Sequence, residues 1–397
     1  MTRRTALGGS IAIAAGAATS LPFLVPRYDE DRRPKRSRVA LLPASEYSEK
    51  LSGLLCEGLK LFHLHVAGKT VLLKPNLVDY IPGTEINTHP SLVIAAVECF
   101  RRLGARRVTV AEGLGHRRDT QLVLRATGLE QQLREQCIPF VDLNRDDVMK
   151  IPLRADYSRL KHLWLPRTVL GADFIVSMPK VKTHHWSGVT LSMKNMFGVV
   201  PGVKYGWPKN LLHWRGIQQS IVDLVATVPI HFVIADAIVC MEGNGPLTGT
   251  ARRLDRIILS DDPVAADAAC VRLMGLLPER VPHIAETAKF LGNMSSHQSD
   301  QLAAPLFLRS PRSRRYQTSN ICVRPSEPVT ALTGNTALHA FLWQSRSMFC
   351  ISWCPPFYLS VVLGSLSLVL FPDSCFLILI PIAVIVDCGV VPVLAFC

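Results

Sequence analysis

Between residues 38 and 274, short apolar runs alternate with amphipathic segments, and most of the apolar runs end in a polar or charged residue. Residues 39–42, 70–73, 107–111, 139–141, 174–177, 231–235 and 256–259 read as strands. Residues 47–62, 90–103, 119–136, 212–228 and 264–274 carry helical spacing. Pro90 suits a first helical turn and Gly104 a helix end, while Asp262 suits the cap of the last helix. Strands interleaved with helices predict an α/β fold, a mostly parallel sheet with helices on both faces and Rossmann-like layering. With 397 residues, 48% of them apolar, the chain can bury one large α/β domain or two smaller ones.

The net charge of +13 points to an acidic ligand, an anionic membrane surface or nucleic acid. Much of that excess sits in the clusters 3–4, 32–38 and 309–315, which read as solvated linkers. No basic stripe is interleaved with aromatics, so nucleic acid is not an expected partner. The eleven cysteines form no CxxC pair. Cys56, Cys99, Cys137, Cys240 and Cys270 lie far apart in apolar contexts and are expected to act as small core hydrophobes. An iron–sulfur cluster or structural zinc is therefore not expected in this chain.

The termini differ from this pattern. Residues 1–26 combine Arg3-Arg4 with an Ala/Gly-rich apolar run, as a twin-arginine-like signal or anchor does, which predicts an extracytoplasmic protein of the periplasm or cell envelope. Residues 27–37 read as a charged linker, 38–293 as the α/β domain and 294–340 as an irregular domain end. Residues 341–397 are an apolar tail. Its two stretches are each long enough to span a bilayer at ~20 residues per span, but the mixture of Cys, Ser, Pro and Leu also suits an aberrant C-terminus. Membrane association through either end stays open.

Residues 172–205 hold the densest chemistry: a buried-strand run, then Lys180, Lys182, Thr183, His184 and His185, then a short helix-like segment over 188–197 with Lys194 and Asn195. If the chain stays extended past Pro179, Lys180, Lys182 and His184 share one side. Two converging lysines repel, which lowers the pKa of one or binds an anion between them. Lys74, Asn76, Glu112, Asp142, Asn144, Asp236 and Asp261 also follow strands, at the edge where open parallel sheets bind ligands. Asp142, Asn144 and Asp261 suit turns or caps, whereas lysine is no turn former, so Lys74, Lys180 and Lys182 need another explanation.

Residues 197–210 read as a lid or a packed surface loop. His213 and Asp223 fall on one face of the next predicted helix. Gly243, Gly245 and Gly249 would let backbone approach a ligand, although neither GxGxxG nor a P-loop is present. Asp236, Glu242, His89 and His184 are candidates to hold a divalent metal, in no standard spacing.

Seven motifs occur in order: KPNLV from Lys74, THP from Thr88, AEG from Ala111, ADFIVSMPKVKTH from Ala172, LSMKNMFG from Leu191, EGNGPLTG from Glu242 and SDDPVAADA from Ser260. Together they resemble the family catalogued as domain of unknown function 362, over residues 39–293. The resemblance implies an α/β domain, often with a twin-arginine signal and sometimes fused to ferredoxin-type modules, and it implies no established reaction. The ferredoxin cysteines are missing here. One functional expectation is an enzyme acting on a small carboxylate or phosphate. In it Lys180, Lys182, His184, Glu112 and Asp236 are catalytic, and Lys74, Asn76, Lys194, Asn195, Gly243 and Gly245 bind substrate. The alternatives are a non-catalytic anion- or metal-binding protein, with His89 and Glu242 as metal candidates, and a redox partner of an iron–sulfur system.

Overall fold

The computed structural model describes residues 30–115 and 119–303, and beyond them only the strand segments 352–354, 358–363, 366–370 and 378–381. The chain divides into two compact units, Met1–Pro325 and Ser326–Cys397. In the first unit the strands are β1 (Ser37–Pro43), β2 (Thr70–Pro75), β3 (Arg107–Glu112), β4 (Phe140–Asp142), the separate antiparallel pair β5 (Val148–Pro152) and β6 (His162–Pro166), β7 (Phe174–Met178), β8 (Lys180–His184), β9 (Gly188–Thr190), β10 (Phe232–Glu242), β11 (Thr250–Ser260) and β12 (Ser299–Ala303).

Ten of these strands form one sheet in the order β12-β1-β11-β10-β7-β2-β3-β4, with β8 and β9 branching from β10. From β4 to β10 every pairing is parallel, and β11 is antiparallel to both its neighbours. The sheet is mixed and mostly parallel, as the alternating pattern predicts.

Strands such as β2 and β7 lack polar alternation because both their faces are buried. Leu72, Ile175, Val233 and Ile258 enter one core, which the helices Ile217–Thr227 and Pro263–Leu273 help to form. Leu73, Val176, Ile234 and Leu259 enter the opposite core, shared with Lys50–Lys60 and Pro90–Arg102. Asp262 caps Pro263–Leu273 by accepting from the N–H groups of Val264 and Ala265.

The order of connections matters more than the composition of the layers. From β2 the chain steps to β3 and β4 on one side, then returns to place β7 and β10 on the other. The carboxyl ends of β2 and β7 therefore flank a topological switch point, where open α/β sheets leave a crevice.

Several elements differ from expectation. The helix predicted over 119–136 is two, Thr120–Ala126 and Leu129–Glu135, separated at Gly128 with φ 75°. The helix-like segment over 188–197 is strand β9 followed by the single turn Ser192–Asn195, because the hairpin pairing Lys182 with Thr190 captures its first residues. The helix expected from 212 begins at Ile217, and His213 lies on the separate short helix Asn210–Trp214. Strand β10 runs to Glu242, so Asp236 is mid-strand rather than at a strand end. The chain does stay extended past Pro179, whose carbonyl accepts the Asp236 N–H at 2.8 Å.

Cys56 and Cys99 are not isolated core residues. They form a disulfide that joins Lys50–Lys60 to Pro90–Arg102, with Cα atoms 5.2 Å apart. Two residues 43 apart meet only because their helices pack side by side. Cys240 and Cys270 are buried as expected, whereas Cys137 is exposed. Arg32 in the charged segment donates its backbone N–H to the Phe290 carbonyl at 2.6 Å and its guanidinium to the Ala226 carbonyl at 2.9 Å.

In the second unit, β13 (Ser352–Cys354), β14 (Tyr358–Leu363), β15 (Leu366–Leu370) and β16 (Ile378–Pro381) pair antiparallel in that order. The segment 1–26, residues 304–340 and the rest of the apolar tail lie outside the described residues. Among the described residues, no helix is long and apolar enough to cross a membrane.

Replacing both Cys56 and Cys99 by alanine is expected to lower the free energy of unfolding by about 2–4 kcal/mol. Urea titrations of wild type and variant, with and without reductant, test this. Reductant should lower the wild-type midpoint and leave the variant unchanged.

Candidate functional site

Lys74 near the end of β2 and Glu112 at the end of β3 form an ion pair with both side chains out of solvent. Lys74 Nζ donates to Glu112 Oε2 at 2.7 Å, to Asn195 Oδ1 at 2.9 Å and to the Pro75 carbonyl at 2.9 Å, which uses all three ammonium protons. Glu112 also accepts from the N–H groups of Leu77 and Gly113, both at 2.9 Å. Asn195 ties the group to the sheet by donating to the Lys74 carbonyl at 3.0 Å and to Ser177 Oγ at 3.1 Å. Burial pulls the Lys74 ammonium below the ordinary lysine range, and Glu112 opposes that pull.

Gly198 lies directly over this pair. A Cβ there would sit 1.9 Å from Glu112 Oε1 and 2.7 Å from Lys74 Nζ, so the close approach requires glycine.

A cavity of about 360 Å³ opens beside the pair, lined by Lys74, Glu112 and Asn195 themselves. Its further polar lining comes from Asn76, Lys182, His184, Thr190, Lys194 and Lys209; Trp186, Phe197, Pro208, His213 and Leu247 contribute ring and apolar walls. The residues come from the ends of β2, β3 and β8, from β9, from the turn Ser192–Asn195 and from the loops after it.

The cationic groups differ in what they touch. Lys182 is fully buried with one hydrogen bond among the described residues, to the Ile86 carbonyl at 2.6 Å. Burial drives its amine well below the lysine range, and repulsion from Lys180 and Lys194 adds to the effect. Lys209 adopts φ 71° and donates to Asn144 Oδ1 at 2.7 Å and to the Val200 carbonyl. Its amine is pushed down to about 7 by burial. Lys194 makes no hydrogen bond or ion pair among the described residues; its Nζ lies 4.1 Å from the centre of the Phe197 ring. Burial, and then the nearby charge of Lys74, bring it down to about 7.

Two neutral groups complete the lining. Asn76 Oδ1 and Thr190 Oγ1 have no hydrogen-bond partner among the described residues, although their residues are only 6% and 4% exposed. Orphaned buried polar atoms are uncommon in folded proteins and mark where a ligand or water belongs. His184 Nδ1 accepts from the N–H groups of Trp186 at 3.1 Å and Ser187 at 3.3 Å, which puts the ring proton on Nε2. Burial, with Lys194 beside it, holds the ring far below the ordinary histidine range, so it is neutral at neutral pH.

Lys180 and Asp236 are brought together, but in a second cluster that does not line the cavity. Lys180 Nζ lies 3.0 Å from Asp236 Oδ2 and 3.2 Å from Glu85, and donates to Tyr47 Oη at 3.1 Å and the Val239 carbonyl at 2.8 Å. Tyr47 in turn donates to Asp236 Oδ1 at 2.6 Å, and its ring stacks on His89 at 3.7 Å.

Gly245 is at the cavity wall, packed against the Thr183 carbonyl, whereas Gly243 is outside the lining and its carbonyl accepts from Thr183 Oγ1 at 3.0 Å. His89 caps Pro90–Arg102 through its Nδ1, and Glu242 is paired with Arg252 at 2.8 Å. Among the described residues, no three His, Cys, Asp or Glu side chains are grouped as metal ligands. Asp223 accepts from the N–H groups of Tyr157 and Ser158, and it lies on a different helix from His213.

Lys209 and Thr190 carry no signal in the sequence beyond lying within or beside the segments already singled out. The segment over 197–210 contributes Phe197, Gly198, Pro208 and Lys209 to the cavity lining.

Residues 71–272, just over half of the chain, match the family described as domain of unknown function DUF362. This chain belongs to that family. Every residue of the cavity lining falls inside the matched DUF362 region. A thylakoid-associated protein from Synechocystis sp. is 28% identical over 226 residues, covering 55% of this chain and 67% of that protein. Among solved structures, a Thermotoga maritima protein aligns at 13% identity and TM-score 0.34, covering 57% of this chain and 59% of its own. The lactate racemase apoprotein from Thermoanaerobacterium thermosaccharolyticum aligns at 12% identity and TM-score 0.35 with the same coverage. The DUF362 chain thus spans less than two thirds of either solved chain.

Glu112→Gln is expected to cost about 3–5 kcal/mol of stability, because it leaves the Lys74 charge buried without a counter-charge. Chemical denaturation measures it, and a loss below about 1 kcal/mol would show that the pair is not buried as described.

The amines of Lys194 and Lys209, lowered from 10.5 to about 7, set a second expectation. Between those values the folded chain binds fewer protons than the unfolded one, so stability rises with pH across that window and the cost of burial is fully felt below about 7. Unfolding of Lys194→Met followed from pH 7 to 10 should show a shallower rise than wild type.

Proposed function

We propose that this DUF362 protein is an enzyme whose substrate is a small molecule bearing a carboxylate or phosphate, bound in the cavity at the switch point. The observation that carries the proposal is an imbalance of charge and hydrogen bonding. Glu112 is the acidic side chain in the cavity wall and is consumed by Lys74, while Lys182 and Lys194 remain beside the unpartnered Asn76 Oδ1 and Thr190 Oγ1. An anion entering the cavity supplies the missing counter-charge, and it stabilises the protonated state of amines that burial otherwise disfavours. A hydroxyl or water accompanying it satisfies the two orphans.

Roles follow from contacts. Lys182 and Lys209 hold the anion, and Asn76 and Thr190 orient its neighbouring polar group. His184, neutral with its proton on Nε2, donates a hydrogen bond to the substrate from that nitrogen. Lys74, Glu112 and Asn195 fix the floor. Lys180 and Asp236 act at one remove, by holding β8 against β10 and so placing Lys182.

For location, we infer an extracytoplasmic, membrane-associated protein. The Cys56–Cys99 disulfide suits an oxidising compartment, the similar Synechocystis protein is thylakoid-associated, and Arg3-Arg4 precede an apolar run.

Thermal unfolding with inorganic phosphate and a panel of small carboxylates tests the binding half of this proposal. An anion that fits should raise the melting temperature in a saturable way, and Lys182→Gln should weaken its apparent affinity by roughly 10- to 150-fold, the equivalent of a charge-assisted hydrogen bond of about 1.5–3 kcal/mol. Incubation with a mixture of small acids, followed by mass spectrometry of what disappears, tests turnover. Saturable binding without any consumed acid would favour a binding protein over an enzyme, and absence of any stabilisation by anions would overturn the reading.

A further inference from the structure

We propose that Lys194 is a nucleophilic amine that forms an imine with the carbonyl carbon of a small 2-oxo acid. This deepens the preceding proposal and rests on it: the carboxylate of the 2-oxo acid is the anion, held by Lys182, and its carbonyl group is what Lys194 attacks.

The argument begins with the contrast among the cavity lysines. A lysine that serves as a fixed cation is given acceptors, and Lys74 has three and Lys209 two. Lys182 has one and keeps donors for an anion. Lys194 has none among the described residues and instead rests against the face of Phe197. It is also the last charged residue of a single helical turn, Ser192–Asn195, that is pinned at both ends. Asp267 accepts from the N–H groups of Ser192 at 2.8 Å and Met193 at 3.1 Å, and Asn195 is locked to Lys74. The backbone under Lys194 is thus fixed while its amine is left unengaged in a ligand-sized cavity.

An amine must shed its proton to attack. The charged and titratable groups around Lys194 among the described residues include Lys74 on β2, Glu112 on β3, Lys182 and His184 on β8, and His283 on the helix Pro282–Thr287, and Lys209 and His213 line the same cavity. Glu112 is the one carboxylate in that set, and it is spent on Lys74. Lys194 is half-buried beside cations with no free counter-ion, a standard physical route to a neutral lysine amine at neutral pH.

The remaining lining suits the same step. The amine lone pair forms a C–N bond to the carbonyl carbon, and the C=O π pair moves to oxygen, whose developing charge accepts a hydrogen bond from His184 Nε2–H and is neutralised by a proton lost from the new ammonium nitrogen. The resulting carbinolamine hydroxyl finds partners in Thr190 Oγ1 and Asn76 Oδ1, the two cavity-lining atoms without a hydrogen-bond partner among the described residues. Loss of that hydroxyl with a proton as water leaves a protonated imine. One amine, one carbonyl and one proton become one iminium and one water, so no oxidant or reductant is required.

The experiment is reductive trapping on the full-length chain. The protein is incubated with pyruvate, 2-oxobutyrate or phenylpyruvate, treated with borohydride and mapped by peptide mass spectrometry. The expected result is a single adduct per chain on Lys194, forming faster as pH rises through about 7, absent in Lys194→Arg and Lys194→Gln, and requiring at least tenfold more 2-oxo acid in Lys182→Gln. Circular dichroism checks that the variants are folded, and should Lys194→Arg not fold, the peptide map of wild type alone decides the site. Adducts scattered over surface lysines, or none, would overturn the proposal. Thermal shifts of wild type with inorganic phosphate run alongside separate the two ideas. Phosphate stabilisation without trapping removes the imine and leaves the anion site, and loss of both removes the anion site as well.

Discussion

A lysine ammonium with no access to water must be matched by a carboxylate and by acceptors for each proton, and the environment of Lys74 is built to do this. The match reaches across the molecule. Glu112 comes from the next strand, Asn195 from a turn more than a hundred residues later, and Ser177 from the strand on the other side of β2. Removing any partner strands a charge or a donor in a dry interior. The pair therefore fixes where β3, β7 and the turn Ser192–Asn195 sit relative to β2, and Gly198 closes over it because no side chain fits.

A second buried charge cluster does comparable work further along the sheet. Lys180, Asp236, Glu85 and Tyr47 hold the start of β8 against the middle of β10, beyond the short stretch where β10 pairs with β7. Pro179 separates β7 from β8, so the branch is secured by these side chains and by the Pro179 carbonyl rather than by a continuous ladder. Between the two clusters the chain carries Lys182 and His184 to the cavity. Structural charges are thus satisfied on both flanks, and the cations between them are only partly satisfied. That contrast separates the scaffold lysines, Lys74 and Lys180, from those available to a ligand.

The layered sheet was legible because buried parallel strands read as short apolar runs and their helices as 3.6-residue patterns. Lys74, Asn76, Glu112, Lys182, His184, Lys194, Asn195 and Gly245 were legible as a group because charged or polar residues and glycine at strand ends have few structural uses, and all of them line one cavity. Local signals misplaced what depends on pairing partners. Thr190 sits on a strand because β8 captures it, Asp236 lies inside a strand because β11 and β8 extend β10, and His213 and Asp223 occupy different helices because Gly216, with φ 94°, breaks between them. The Cys56–Cys99 bond was invisible for the same reason, since it reports a helix–helix contact.

By itself the sequence determined the class of fold, the edge of the sheet where the cavity lies and membership of the DUF362 pattern, since each rests on residue type and short-range spacing. Only the tertiary structure decided which lysine is spent on Glu112, which is locked to Asp236 and which has no acceptor among the described residues. Those assignments depend on side chains that arrive from distant segments. Burial then acts on each ammonium according to the partners it finds there, and no spacing along the chain encodes that.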